Sequence, residues 1–305
     1  MTMRTVATQI ARTRPWLPAL ALLTVGPAAL AGTPISERAA ADATGQVEVS
    51  NISGSVVVTG WSRSEVEVTG TLGEGAERLE FSSVDKLTRV KVIYPSRSSR
   101  AESSSLVIKV PAGSSLSVNA VSADVSATGV RGSQRLQSVS GDIRTEAGAE
   151  DVECKTVSGD VTVTGTGQRG LLTVTTVSGD ATLTRVAGEV NGNTVSGDFT
   201  IAMGDASRSR LRSTSGDLGL KGRLTAEARL DFESISGDVR LDLEGPIGAE
   251  FDVSSFNGDI RNCFGPPPVR TSEHAPGREL RFREGQGTAR VRIKTLNGDV
   301  SVCNK

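Results

Sequence analysis

Apolar residues along this chain fall into columns that repeat about every twenty positions. Each repeat is marked by a Ser-Gly-Asp or Asn-Gly-Asp tripeptide, and its Asp is taken as position zero. The copies stand at Asp124 (in Ser-Ala-Asp), Asp142, Asp160, Asp180, Asp198, Asp217, Asp238, Asp259 and Asp299, at spacings of 18, 18, 20, 18, 19, 21, 21 and 40 residues. Positions eight and six before the Asp are apolar in most copies, as in Leu172 and Val174. So are the third before it (Val157, Val177, Ile235) and the first and third after it (Val161, Val163). Thr, Ser, Arg, Glu and Lys fill the alternate positions. Period-two alternation predicts short strands with one buried face.

The apolar parity breaks between six and three before the Asp, and again across Ser-Gly-Asp, so the backbone must bend there. Glycine supplies backbone angles that other residues resist, and Asp and Asn favour turns. The constant turns are Gly141-Asp142, Gly159-Asp160, Gly179-Asp180, Gly197-Asp198, Gly216-Asp217, Gly237-Asp238, Gly258-Asp259 and Gly298-Asp299. Length variation is confined to a second, variable turn such as Thr164 to Gly170. A period near twenty residues predicts units stacked on their neighbours. The expected fold is all-β, a β-solenoid of about ten short coils of 18–21 residues. An aromatic content of 3% suits its thin interior. A β-sandwich, the main rival, does not require the same three turn residues in every repeat.

Residues 1–31 have the form of a signal peptide: Arg4, Arg12 and Arg14, an apolar run from Trp16 to Leu30, and Ala29-Leu30-Ala31 before Gly32. Pro18, Gly26 and Pro27 interrupt the run, which is shorter than the roughly 20 residues a membrane span needs. Export with cleavage after Ala31 is expected. A short segment, 32–44, then leads into the solenoid domain, 45–305. Within 45–115 the pattern is irregular, although Gln46 to Trp61 matches one coil if Ser55 takes the place of Asp. Ser96 to Ser105 is polar, as expected of a loop. Regular coils fill 116–262. The last part, 263–305, holds Gly265-Pro266-Pro267-Pro268, His274, and two strand-like runs expected to form a hairpin feeding a terminal cap.

Cys263 and Cys303 each stand four residues after their Asp, at matching positions on neighbouring coils. An exported chain meets an oxidising compartment, so a disulfide between them is predicted. Cys154 falls in an apolar column and is expected to be a buried free thiol. None of the cysteine spacings has the form of a metal-ligand pair. Without Arg4, Arg12 and Arg14 the chain carries 31 basic and 35 acidic residues, net −4. That balance argues against a nucleic-acid partner.

The row Asp142, Asp160, Asp180, Asp198, Asp217, Asp238 and Asp259 is the obvious candidate for calcium. Calcium needs six to eight oxygens, and each coil offers one carboxylate and one Ser. The competing expectation is structural: each Asp accepts hydrogen bonds from amides of its own turn, worth about 1.5 to 3 kcal/mol against about 1 kcal/mol of repulsion between neighbouring carboxylates. A single His leaves no nucleophile-base pair. The acidic residues outside the row (Glu146, Glu150, Asp151, Glu153, Glu189) cluster only locally at 146–153. No catalytic residues, cofactor or enzyme activity are expected.

The repeated Val-Ser-Gly-Asp-Val units resemble the bacterial domain family of unknown function labelled putative adhesin. The opening Gly45-Gln46-Val47-Glu48-Val49-Ser50-Asn51-Ile52-Ser53-Gly54 and the ending Val291-Arg292-Ile293-Lys294-Thr295-Leu296-Asn297-Gly298-Asp299-Val300 carry the same resemblance. It covers about Gly45 to Val302 and implies a β-solenoid at the cell envelope, with no catalytic residues to carry over. The leading expectation is a non-catalytic exported protein of the periplasm or cell surface, an adhesin or binding scaffold, monomeric, with a glycan or protein partner. The alternative is a glycan-binding or glycan-cleaving β-helix protein, which would show two carboxylates facing each other across a cleft.

Overall fold

The computed structural model describes residues 32–95, 103–272 and 276–304. The expected signal peptide, most of the serine-rich loop and His274 lie outside the described residues. The described chain is strand and turn, with no helix among these residues. It opens with β1 (Thr33–Ala40) and the long β2 (Gln46–Trp61), followed by β3 (Glu65–Leu72), β4 (Arg78–Val84), β5 (Leu87–Ile93), β6 (Ser104–Pro111) and β7 (Ser115–Thr128). Then come β8 (Gln134–Gln137), β9 (Ile143–Ala147), β10 (Val152–Lys155), β11 (Val161–Gly165) and β12 (Arg169–Thr175). Three long strands follow: β13 (Ala181–Thr194), β14 (Phe199–Ser213) and β15 (Leu218–Ser234). The chain closes through β16 (Val239–Leu243), β17 (Ala249–Ser255), β18 (Ile260–Asn262), β19 (Val269–Arg270), β20 (Arg278–Glu284), β21 (Ala289–Thr295) and β22 (Val300–Asn304).

Pairing between coils is parallel and follows the repeat column by column. On the side before the Asp, β7, β8, β10, β12 and the second half of β13 lie in register, Leu116 on Gln134, Gln134 on Val152, Val152 on Leu172 and Leu172 on Val190. On the side after it, Val125, Ile143, Val161, Ala181, Phe199 and Leu218 form one file. The inward residues of both files are buried and make a single continuous core. The strands β13, β14 and β15 run through the second corner without a break, so the expected variable turn is there an arc of paired strand. Register shifts near Val186, Gly188 and Asp205 absorb its length differences.

The stacking order departs from the chain order at both ends. The coil of β2 lies between that of β5 and β6 on one side and β7 on the other, and Ser55 pairs with Asp124 as its place in the repeat requires. At the other end, β21 lies between β15 and β17, and β22 between β16 and β18. The runs at 280–293 are therefore not a hairpin: β20 and β21 flank β17 on opposite sides, one antiparallel and one parallel.

Charge gives a reason for the insertion. β21 carries Arg290, Arg292 and Lys294 outward, with Arg292 opposite both Asp231 and Asp252, Lys294 opposite Glu233, and Arg290 opposite Glu250; against these favourable placements stands one like-charge pair, Arg290 opposite Arg229. Direct stacking of β17 on β15 would set Asp231 against Asp252, and like charges opposite each other across strands are destabilising.

Antiparallel strands finish both ends. β1 covers β3, which covers β6; β4 covers β5; β20 covers β17. Phe251, Phe264 and Phe282 pack as a cluster at the C-terminal end, the first and last stacked with centroids 4.8 Å apart. Cys263 and Cys303 form the predicted disulfide, with Cα atoms 4.7 Å apart.

One rung breaks the column rule and repairs it. Gly192 stands where neighbouring coils have Val174 and Leu211, while Phe199 replaces the usual smaller residue just after the Asp and is fully buried. A Cβ at Gly192 would lie 2.5 Å from the Phe199 ring and 2.7 Å from Leu211. Gly192→Val should therefore cost about 1–3 kcal/mol by overpacking, and Phe199→Val should destabilise by leaving a void. The double variant should recover most of both losses, a coupling readable from urea unfolding of the four proteins. Cys303→Ser, which opens a loop with a sequence separation of 40, should lower stability by up to about 4 kcal/mol in the same measurement.

Candidate functional site

The Ser-Gly-Asp corners lie in single file along one edge of the stack, and their construction differs from the expected one in four ways. The glycine is there for contact. None of the glycines at these corners has a left-handed backbone; instead, a Cβ on Gly159 would stand 2.1 Å from the carbonyl oxygen of Gly141 in the coil beneath, and the same collision recurs up the file.

The group that caps each corner from within its own turn is a hydroxyl four residues before the Asp. Ser138, Thr156, Thr176, Thr194, Ser213 and Ser234 are buried, and each accepts the N–H of the glycine three residues on, at 2.7–3.0 Å. This column was missed because Thr and Ser read as outward residues. Its signal was present, since the hydroxyl holds the same parity as the apolar columns before it.

The aspartates act between coils. Oδ1 of Asp124 accepts the N–H of Asp142, and the chain of bonds continues through Asp160, Asp180, Asp198, Asp217 and Asp238 at 2.8–3.0 Å. It then passes to Asp299 and only afterwards to Asp259, following the swapped stacking order. One oxygen of each carboxylate in this chain is thus committed to a neighbouring amide, except at Asp259, which ends the file against Arg278. Among the described residues no three His, Cys, Asp or Glu side chains gather closely enough to hold a metal ion.

The third residue before the Asp, expected in the core, is exposed. With the hydroxyl turned inward, the next two residues both face out, so one parity shift at this pair replaces the two expected bends. Val121, Val139, Val157, Val177, Val195 and Ile235 are 39–48% exposed; Ile52 continues the row below them, and Leu296 and Phe256, at 47% and 55%, continue it above. Thr214 is the one polar member between Val195 and Ile235.

Elsewhere the surface is shallow. A groove of about 520 Å³ runs beside Ser117, Gln134, Arg135 and Glu153. Glu153 is clamped by Lys155 and by Arg135 at 2.8 Å. Lys155 first, with Arg135 besides, holds its carboxyl below the usual carboxylate range, against a smaller opposing push from burial, so it is a poor proton donor for glycoside cleavage. Glu146 accepts the N–H of Gly129. Glu146 and Glu153 thus each bond to a neighbouring coil and do not form a facing pair. Cys154 is a fully buried free thiol whose pKa burial raises to about 12, Glu153 adding to the shift.

Two substitutions separate the roles of the corner residues. Thr176→Val strips the buried acceptor from Gly179 and should cost about 1–3 kcal/mol. Asp180→Ala removes an exposed inter-coil acceptor and should cost about 1 kcal/mol. Thermal unfolding should rank Thr176→Val as the more damaging, and the Asp180→Ala loss should be the same with calcium as with chelator.

Against known proteins, the chain is similar in shape to several solved structures. A putative adhesin from Bacteroides fragilis is 10% identical over 90% of this chain and 97% of that one, with a TM-score of 0.45. A putative adhesin and a putative lipid binding protein from Parabacteroides distasonis are each 13% identical, over 89% of this chain and 98% of theirs, with TM-scores of 0.43 and 0.49. No curated protein sequence matches. The Toastrack DUF4097 family model matches residues 39–208 and 88–303. The chain belongs to the Toastrack DUF4097 family.

Proposed function

We propose that this is a non-catalytic, exported cell-envelope protein that works by presenting surface, as an adhesin or binding scaffold. The observation that carries the reading is the repetition of the outer faces. Positions pointing outward on successive coils stand in register, as in Thr162, Thr182 and Thr200 on one side of the corner and Glu153 and Thr173 on the other. Files of side chains at a strand spacing of about 4.8 Å make an extended recognition surface.

Export is supported by the form of residues 1–31 and by the disulfide, which belongs to oxidising compartments. Among the described residues no helix is long and apolar enough to cross a membrane. The partner class that suits long polar files is a glycan or an extended protein surface of the envelope. The commitment of one Asp oxygen per coil to a neighbouring backbone amide supports the structural role of the row over calcium.

The mature chain, residues 32–305, is to be screened against envelope glycans and surface proteins with and without chelator. Binding that survives chelation and is unaccompanied by product release is the expected result. Turnover of a glycan would end the non-catalytic reading, and loss of binding on chelation would return calcium to the Asp row. Sequencing the amino terminus of the exported protein should give Gly32 as the first residue.

A further inference from the structure

The fold just described leaves the apolar row on the corner edge about half uncovered. Ile52, Val121, Val139, Val157, Val177, Val195, Ile235, Leu296 and Phe256 face solvent, and the corner is held by the buried hydroxyl, the glycine contact and the Asp chain. Nine large apolar side chains in single file, interrupted only by Thr214, extend about 43 Å at strand spacing. An exposed apolar file of this kind, rimmed by polar residues, marks an interaction site. We propose that this edge is the interface of a parallel, side-by-side homodimer, in which a second copy of the chain lays its own corner row against this one.

Three observations favour a second copy. The first is the repeat distance. A helix laid along the row repeats every 5.4 Å or so and slips by about 0.6 Å per rung, so it is half a rung out of step after about four rungs. A second β-stack has the same repeat and stays in step from Ile52 to Phe256. Its valines can then interdigitate in the manner of stacked sheets whose dry interfaces repeat at strand spacing.

The second is area. The column five before the Asp and the Asp itself are five residues apart, at most about 16–17 Å at strand rise. Over the length of the row this amounts to up to about 700 Å² per partner, within the range of a standard stable interface.

The third is charge, and it selects the orientation. The Asp file runs along one side of the apolar row. Along the other runs the column five before the Asp, which includes Lys155, Arg212 and Lys294 with Glu233 as its one acid. An antiparallel pair would set Asp file against Asp file, at about 1 kcal/mol of repulsion per close pair. A parallel pair sets each Asp file against the mixed, more basic column. The end strands are blunted against edge pairing by Pro34, Glu37 and Arg38 on β1 and by the charged residues of β20. A dimer contradicts the monomer that the sequence suggests, and it leaves the outer faces of both sheets free for the proposed binding role.

The test uses the mature chain. Sedimentation equilibrium at micromolar concentration should give twice the chain mass. Val157→Lys combined with Val195→Lys, both at exposed positions, should return it to the single-chain mass with its strand circular dichroism unchanged and with a thermal midpoint that no longer rises with protein concentration. Single cysteines at Val121, Val177 and Ile235 then read the orientation under mild oxidation, because Cys154 is buried and the other two native cysteines are bonded. In the parallel dimer all three variants should cross-link to themselves. A wild-type chain of single mass, a lysine variant that stays dimeric, or cross-linking confined to the central Val177→Cys would each overturn the proposal. A monomeric result would leave the binding screen unaffected, since that screen reads faces this contact does not cover.

Discussion

The structure depends on how closely one corner can sit on the next. At the Ser-Gly-Asp turn the glycine Cα lies over the carbonyl of the glycine beneath, leaving no room for a side chain, and the Asp carboxylate reaches the amide of the adjoining Asp. Both contacts run between coils. The corner therefore sets the rise of the stack, and parallel register on either side follows from it. A corner without this close approach could still turn the chain, but it would not oblige successive turns to coincide. The buried hydroxyl completes the unit by capping the glycine N–H inside the core, where an unpaired amide would cost about 1–3 kcal/mol.

The ends obey a different constraint, because a stack of parallel coils exposes a strand edge at each terminus. Here the coil of β2 and the coil of β21 and β22 are each inserted one place inward, so that a later or earlier segment closes over them. An inserted coil is paired on both sides and cannot fray without parting two neighbours. At the C-terminal end the disulfide ties β18 to β22 across this insertion, and the Phe251, Phe264 and Phe282 cluster closes the core beyond it. The acidic strands on either side of β21 supply the electrostatic preference for that order.

Much of this was legible in the sequence, and the limits have physical causes. The period of the Asp residues located the coils, and the columns at eight and six before and one and three after the Asp identified core residues such as Val174 and Val163, both fully buried. The disulfide followed from matching positions on neighbouring coils. Polarity misled at the corner. Val157 was assigned to the core because it is apolar, and Thr156 to the surface because it is not; the structure reverses both, since a tight turn needs a buried acceptor more than it needs another methyl group. The swapped order at the ends left no mark on the period, because stacked coils with the same columns can be exchanged without changing any residue's face. Only the charges on β15, β17 and β21 distinguish the two orders, and reading them requires knowing which strands could meet.

The exposed row follows from the same geometry but is not required by it. Once the hydroxyl turns inward the next residue must face solvent, and any polar residue would serve there, as Thr214 does. Val or Ile recurs at that place in copy after copy, with Leu296 and Phe256 at the far end. The glycine, the buried hydroxyl and the aspartate of each corner are satisfied within the stack, while the apolar residue beside them stays about half exposed. Half-exposed apolar residues, repeated at the spacing of the stack and gathered on one edge, are suited to a contact outside the chain. Since Pro34 and charged side chains blunt the end strands β1 and β20, that contact runs along the side of the stack.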